Sequence, residues 1–177
     1  MANKKADKEE LESAIVDTLN KTFKDGGQVA YVIGQEDTPT DLTDFISTGA
    51  SLLDLAISNR VNGGIACGRI TELTGLEGSG KSLIAAHMMA SVQKEGGVAV
   101  LIDTENAVNA EFYEAIGLNF NKLVYAQPDT LEDIFTMIEK IVETVRKSAG
   151  QNSKKVIIVV DSVAGVPTKQ EMEGDYD

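Results

Sequence analysis

The chain has one cysteine (Cys67), one histidine (His87) and no tryptophan in 177 residues. A lone cysteine excludes an intrachain disulfide framework, and one Cys with one His excludes a self-contained Cys/His zinc site. Long apolar runs are missing as well. None approaches the roughly 20 residues that a bilayer-spanning helix needs, and the opening MANKKADKEELE has no apolar stretch behind its lysines, so no secretory leader is predicted. Cations are scarce: 16 Lys and Arg stand against 28 Asp and Glu, a net charge of −12. Non-specific affinity for nucleic acid comes from cations that displace counterions from phosphates, so the chain as a whole is a poor polyanion binder. What is present is globular in character. A hydrophobic fraction of 42% with 25% charged residues excludes a disordered tail and a fibrous rod. Together these features predict a cytoplasmic protein with no membrane partner, whose contact with DNA or RNA requires a local patch or residues outside these 177.

Residues 5 to 25 read as an amphipathic helix, because Leu11, Ile15, Leu19 and Phe23 recur every four positions and Ala14 and Val16 widen the stripe. Asp25-Gly26-Gly27 supplies a helix stop. A short apolar stretch from Val29 to Ile33 and a polar linker at 34–39 follow, and a domain boundary is placed near residue 45. Residues 1–45 thus form a helix and linker, and 46–177 a second domain. There, strand and helix patterns alternate. Arg69 to Thr74 reads as a strand, followed by a glycine-rich turn and an apolar helix over Ser82 to Gln93. Val98 to Asp103 is a second strand, and Asn109 is placed to cap a short helix running to Gly117. Leu123 to Ala126 is a brief strand. Thr130 to Asp133 reads as a capping box opening a long helix with Ile134, Ile138, Ile141, Val142 and Val145 on one face. Lys155 to Asp161 is a third strand, with an apolar run between its two charged ends. Uninterrupted apolar strands alternating with helices predict an α/β fold, a mostly parallel sheet covered by helices on both faces.

The chemistry concentrates at the ends of these strands. Gly75-Leu76-Glu77-Gly78-Ser79-Gly80-Lys81-Ser82 fits the G-x-x-x-x-G-K-[ST] phosphate loop, and a strand enters it and a helix leaves it, as that loop requires. Its glycines let successive N–H groups point into one concavity at the positive end of a helix. Lys81 brings a compact charge to the outer phosphates, and the Ser82 hydroxyl can ligate Mg²⁺. Asp161, at the end of the VIIVV run, is either a second Mg²⁺ holder or a simple cap for the turn at Ser162; a phosphate loop upstream favours the metal role. Glu105, just past the second strand, is placed to polarise an attacking water, with Asp103 as the rival within the same turn and a solvated loop acid as the plain alternative. Phe112 and Tyr113 are read as core aromatics first and as an adenine platform second. Cys67 reads as a small hydrophobe, and His87 is assigned no role.

Further runs are more specific than the phosphate loop. Ile46-Ser-Thr-Gly49, Ser51 to Ile57, Gly63-Gly64 and Gly68-Arg69-Ile70 lead into it; Leu101 to Glu105, Ala126-Gln-Pro-Asp-Thr130, Val159 to Ala164 and Glu171-Met-Glu-Gly174 follow it. In this order they resemble the RecA-type strand-exchange recombinases over nearly the whole chain. The resemblance implies a RecA-like P-loop NTPase core preceded by an N-terminal helix and linker. It implies a DNA-dependent ATPase in which Gly75 to Ser82 bind ATP, Ser82 and Asp161 hold Mg²⁺, and Glu105 rather than Asp103 activates water. Asn109 and Phe112 stand where the family has the aspartate and tyrosine around adenine, which puts base selectivity in question. The N-terminal helix would dock on a neighbouring copy in a helical filament. Single-stranded DNA would be met by loops mostly beyond residue 177, and the strand that the family places between the phosphate-loop strand and the Asp161 strand also comes later, so these residues are expected to be the N-terminal part of a longer or split recombinase. Three other readings stay open: a RecA-like motor without strand exchange, a small P-loop kinase, and a non-catalytic nucleotide-gated assembly module.

Overall fold

Three apolar segments pair into a parallel sheet in the computed structural model, which describes residues 3–23, 28–33, 42–106, 108–148 and 154–174. The central strand β3 (Val98–Asp103) lies between β4 (Leu123–Ala126) and β5 (Val156–Asp161), in the order β4-β3-β5. The β3–β5 register runs from Val98↔Val156 to Asp103↔Asp161, and β4 pairs from Ala99↔Leu123 to Ile102↔Ala126. Each crossover is helical: α4 (Ala110–Ile116) joins β3 to β4, and α5 (Leu131–Ser148) joins β4 to β5. Asn109 caps α4 by accepting from the Phe112 N–H, and Gly117 ends it in the left-handed conformation, as the sequence predicts.

The sheet is covered on both faces because side chains alternate along each strand. Ala99, Leu101 and Ile157 pack beneath α3 (Lys81–Lys94), whose Ala85, Ala86, Met88, Met89, Ala90 and Val92 are buried, and beneath Tyr113 of α4. Val100, Ile102, Ile158 and Val160 face the other way, onto Ile134, Ile138 and Ile141 of α5. Gly97 shows how closely α3 and the sheet approach: a Cβ there would lie 2.5 Å from the Lys155 carbonyl and 2.6 Å from the Val92 side chain. Thr130 and Asp133 form the predicted cap of α5: the Thr130 hydroxyl donates to the Asp133 carboxylate at 2.6 Å and accepts from the Asp133 N–H.

One predicted strand is absent. Residues 69–74 enter no ladder among the described residues, and Ile70 is fully exposed at 102%. An extended β-prone run becomes a strand only where a partner offers matching donors and acceptors; here the sheet stops at β5, so Arg69 to Thr74 leads into the glycine loop as irregular backbone.

Several elements were not predicted. The two-residue strands β1 (Phe45–Ile46) and β2 (Ile65–Ala66) pair antiparallel around α2 (Ser51–Ser58). A short 3₁₀ turn covers Phe120–Lys122, and α6 (Lys169–Glu173) opens on a capping box between Thr168 and Glu171. Lys155 ties the β1 segment to the end of α3, donating to the Phe45 carbonyl and the Glu95 carboxylate, both at 2.8 Å.

The chain divides into two compact units, Met1–Thr43 and Asp44–Asp177. In the first, α1 (Asn3–Thr22) exposes Leu11, Ile15 and Leu19, and Phe23 just beyond it is exposed too. Asn20 anchors the apolar stretch after the helix: its Oδ1 accepts from the Val29 and Ala30 N–H groups at 2.8 Å each, and its Nδ2 donates to the Ala30 carbonyl. The helix stop at Gly26-Gly27 and the linker at 34–39 lie outside the described residues. Among the described residues, no helix is long and apolar enough to cross a membrane.

The entry into α2 is held by Asp54, which is 4% exposed and accepts from the Ser47 hydroxyl (2.5 Å) and from the Thr48 N–H and hydroxyl (2.7 Å each). Burial pushes its carboxyl up, but these hydrogen bonds outweigh burial and hold it below the ordinary value. The stabilisation is therefore complete above the unfolded Asp value of about 4 and is lost as pH falls through the lower folded value. Asp54→Asn is expected to lower stability at pH 7 by about 1–3 kcal/mol, and the gap to wild type should narrow below about pH 4; urea unfolding across that pH range checks both.

Candidate active site

The parallel register of β3 and β5 determines what meets at the carboxyl end of the sheet. Asp103 and Asp161 are ladder partners on neighbouring strands, on the face that α3 covers. Strands in a sheet run about 4.8 Å apart, so two acids end side by side. Like charges placed opposite one another destabilise a sheet unless something neutralises them.

Asp103 is held by hydrogen bonds from the protein. It is 4% exposed, its Oδ1 accepts from the Glu105 N–H at 3.0 Å and its Oδ2 from the Tyr125 hydroxyl at 2.9 Å. Burial, the hydrogen bond to Asp103 and its charge hold the Tyr125 phenol above its ordinary range, so it remains a donor. Both carboxylate oxygens of the sequence's rival catalytic acid are thus engaged in shaping the turn that carries Glu105. Asp161 differs. Among the described residues its carboxylate has no hydrogen-bond partner, so the capping alternative for the turn at Ser162 is not realised.

Glu105 is exposed beyond β3, and its Oε1 accepts from the Ser162 hydroxyl at 2.8 Å. Ser162 is fixed in turn by Thr104, whose hydroxyl donates to the Ser162 carbonyl (2.5 Å) and accepts from the Ser162 N–H (2.9 Å). The Asp161–Ser162 peptide bond is cis. Beside Glu105, Asn106 adopts φ +54° and accepts a hydrogen bond from Gln127 beyond β4. Thr104, Ser162 and Gln127 had gone unassigned. Aligning the Asp103 and Asp161 strand ends places Thr104 opposite Ser162, and that signal was in the sequence.

The glycine loop approaches the same edge. Leu76 accepts from the Ser79 N–H at 3.2 Å, Gly78 and Gly80 take φ +70° and +93°, and Gly80 is the N-cap from which α3 begins at Lys81. The left-handed φ at Gly80 disfavours any side chain although a Cβ would meet no atom within 4 Å. Lys81 Nζ donates to the Gly75 and Leu76 carbonyls at 3.0 and 2.9 Å, so the lysine lies across its own loop.

Ser82, Asp103, Glu105, Phe112, Tyr113 and Asp161 line one small cleft that opens to solvent. The structure brings Ser82, Glu105, Asp161 and Phe112 together there; Asn109 lies at the α4 terminus beside it, its Oδ1 engaged as the helix cap and its Nδ2 left as a donor. Phe112 is exposed and meets Tyr113 edge-on, with ring centroids 5.4 Å apart.

The donor set suits a hard divalent cation that brings further ligands with it. No group of three or more His, Cys, Asp or Glu residues capable of holding a metal occurs among the described residues. Ser82 and Asp161 bring to one cleft side-chain oxygens that have no hydrogen-bond partner among the described residues, a set that would suit Mg²⁺ with phosphates and waters as its further ligands.

A family profile described as RecA N-terminal domain matches residues 9–177. Curated proteins named Protein RecA are similar to the chain: that of Crocosphaera subtropica is 35% identical over 169 residues, covering 96% of this chain and 44% of that protein. The Helicobacter pylori protein is 37% identical over 169 residues, covering 96% and 44%, and the Mycoplasma pneumoniae protein is 42% identical over 132 residues, covering 75% and 36%. The chain thus spans less than half the length of these relatives.

Thr104→Val keeps the shape of the side chain and removes both hydrogen bonds to Ser162. It is expected to cost about 1–3 kcal/mol through the unpaired N–H and carbonyl left at Ser162, measured as a lowered urea midpoint with an unchanged denaturant slope.

Proposed function

The chain belongs to the RecA family, as its N-terminal domain, and from that premise we propose that it is the ATP-binding and hydrolysing part of a recombinase that forms filaments on single-stranded DNA. One observation carries the reading: the glycine-loop serine, an aspartate with no hydrogen-bond partner among the described residues and an exposed glutamate, from three different segments, line a single cleft.

The chain's own residues would act as follows. N–H groups of Gly75 to Ser82 at the start of α3 receive the triphosphate. Lys81 exchanges its hold on the Gly75 and Leu76 carbonyls for the outer phosphates. Ser82 and Asp161 hold Mg²⁺, which when bound neutralises charge developing on the phosphate oxygens. Glu105 orients and polarises the attacking water, with Ser162 steering its carboxylate. Phe112 offers an exposed ring to the adenine, and Asn109 Nδ2 a donor to its edge.

The exposed stripe on α1 supports self-association: Leu11, Ile15, Leu19 and Phe23 form an apolar surface suited to a neighbouring copy of the chain. The net charge of −12 supports placing the main DNA contacts in parts of the recombinase other than these residues. The unladdered run at 69–74 and the single-sided pairing of β5 support a further strand between them, contributed by the rest of the recombinase. A cytoplasmic setting is part of the same proposal.

Lys81→Ala is expected to weaken ATP binding about 10- to 100-fold, the worth of a hydrogen bond to a charged group, in a fluorescent-nucleotide titration. Glu105→Gln should bind ATP normally and lose about 10²- to 10⁴-fold in turnover, the usual contribution of a general base. Single-stranded DNA should raise the wild-type rate; equal rates with and without it would favour the motor reading, and ATP binding indifferent to Lys81→Ala would overturn the assignment of the loop. Ile15→Glu is expected to suppress nucleotide-dependent assembly in sedimentation while leaving ATP affinity unchanged.

A further inference from the structure

Tyr113 lines the cleft, and none of these roles uses it. It sits on α4, is 6% exposed, and lines the cleft beside Asp103, Asp161 and Ser82. Its ring is fixed by burial and by the edge-on contact with Phe112. Among the described residues its hydroxyl has no hydrogen-bond partner. No buried side-chain N or O among the described residues lacks a partner, so this unpaired hydroxyl is accessible to solvent and to a group bound in the cleft that Tyr113 lines.

The acceptors on its side of the cleft narrow the choice. Both oxygens of Asp103 are occupied, by the Glu105 N–H and the Tyr125 hydroxyl. Among the described residues, no hydrogen-bond donor meets the Asp161 carboxylate. Burial, followed by the negative charges of Asp161 and Asp103, raises the Tyr113 phenol above its ordinary range, so at neutral pH the group is a hydrogen-bond donor beside two carboxylates.

We propose that Tyr113 is a positioning residue for the metal site, donating its hydroxyl hydrogen to the Asp161 carboxylate, or to a water that this carboxylate holds, once Mg²⁺ and nucleotide occupy the cleft. The proposal rests on the nucleotide-site reading above. Its physical basis is that a ligating carboxylate oriented by an outer donor loses less freedom when the ion arrives, and removal of such a partner weakens metal binding without touching the ligand itself.

The test is Mn²⁺ binding followed by electron paramagnetic resonance, in the presence of a non-hydrolysable ATP analogue, on the full chain. Tyr113→Phe keeps the ring and its contacts. It is expected to weaken Mn²⁺ binding about tenfold, at the low end of losses for outer partners of metal ligands, with unchanged metal-free affinity for the analogue and an unchanged thermal midpoint. Asp161→Asn should weaken Mn²⁺ binding further, and adding Tyr113→Phe to it should have no additional effect, because the two act through one contact. Equal Mn²⁺ affinity in wild type and Tyr113→Phe, or full additivity in the double variant, overturns the role of Tyr113 alone. Failure of the wild type to bind the analogue, or binding unaffected by Lys81→Ala, overturns the nucleotide site and this inference with it.

Discussion

The ladder pairing of Asp103 with Asp161 is the constraint on which the rest of the site depends. Parallel strands in register deliver their last residues to the same edge, and the two last residues are acids on one face of the sheet. The fold treats them unequally. Asp103 is buried and saturated by a backbone N–H and a phenol, and so becomes part of the scaffold. Asp161 has no hydrogen-bond partner for its carboxylate among the described residues, and it lines the cleft. An uncompensated acid beside a compensated one invites a cation, and the loop serine across the cleft supplies a second oxygen of the kind Mg²⁺ prefers.

Around that pair the structure builds a rigid frame from local hydrogen bonds. Thr104 and Ser162 lock the segments leaving β3 and β5 to each other, and Ser162 reaches on to Glu105. Gln127, beyond β4, reaches Asn106 on the far side of the glutamate. All three strand ends therefore converge on the position of Glu105. In the role proposed for Glu105, such preorganisation would place the ordering cost on folding and not on each turnover.

Much of this was legible from residue patterns. The apolar runs VAVLID and VIIVVD, the glycine loop and the caps at Asn109 and Thr130 are local signals, and each appears where its pattern says it should. The strand at 69–74 was misread because RITELT has the composition of a strand but enters no ladder among the described residues. The short α2 and the β1–β2 pair escaped notice because two-residue strands have no periodicity, and α2 is only eight residues long with a buried acid, Asp54, bonded to Ser47 and Thr48 where an apolar residue would carry the pattern. Between Glu105 and Asp103 the residues alone gave no decision; the difference is one of burial and hydrogen bonding, which depends on the Tyr125 hydroxyl arriving from another strand.

By itself the sequence determined the class of fold, the family and the chemical types at each strand end, because strand alternation, glycine-rich turns and helix caps are encoded within a few neighbouring residues. Tertiary structure alone decided which acid would be scaffold and which would stay free, that Tyr113 would wall the cleft, and that Thr104 would clasp Ser162 across 58 positions of chain. Those outcomes depend on register and burial, quantities that arise only when distant segments share a sheet.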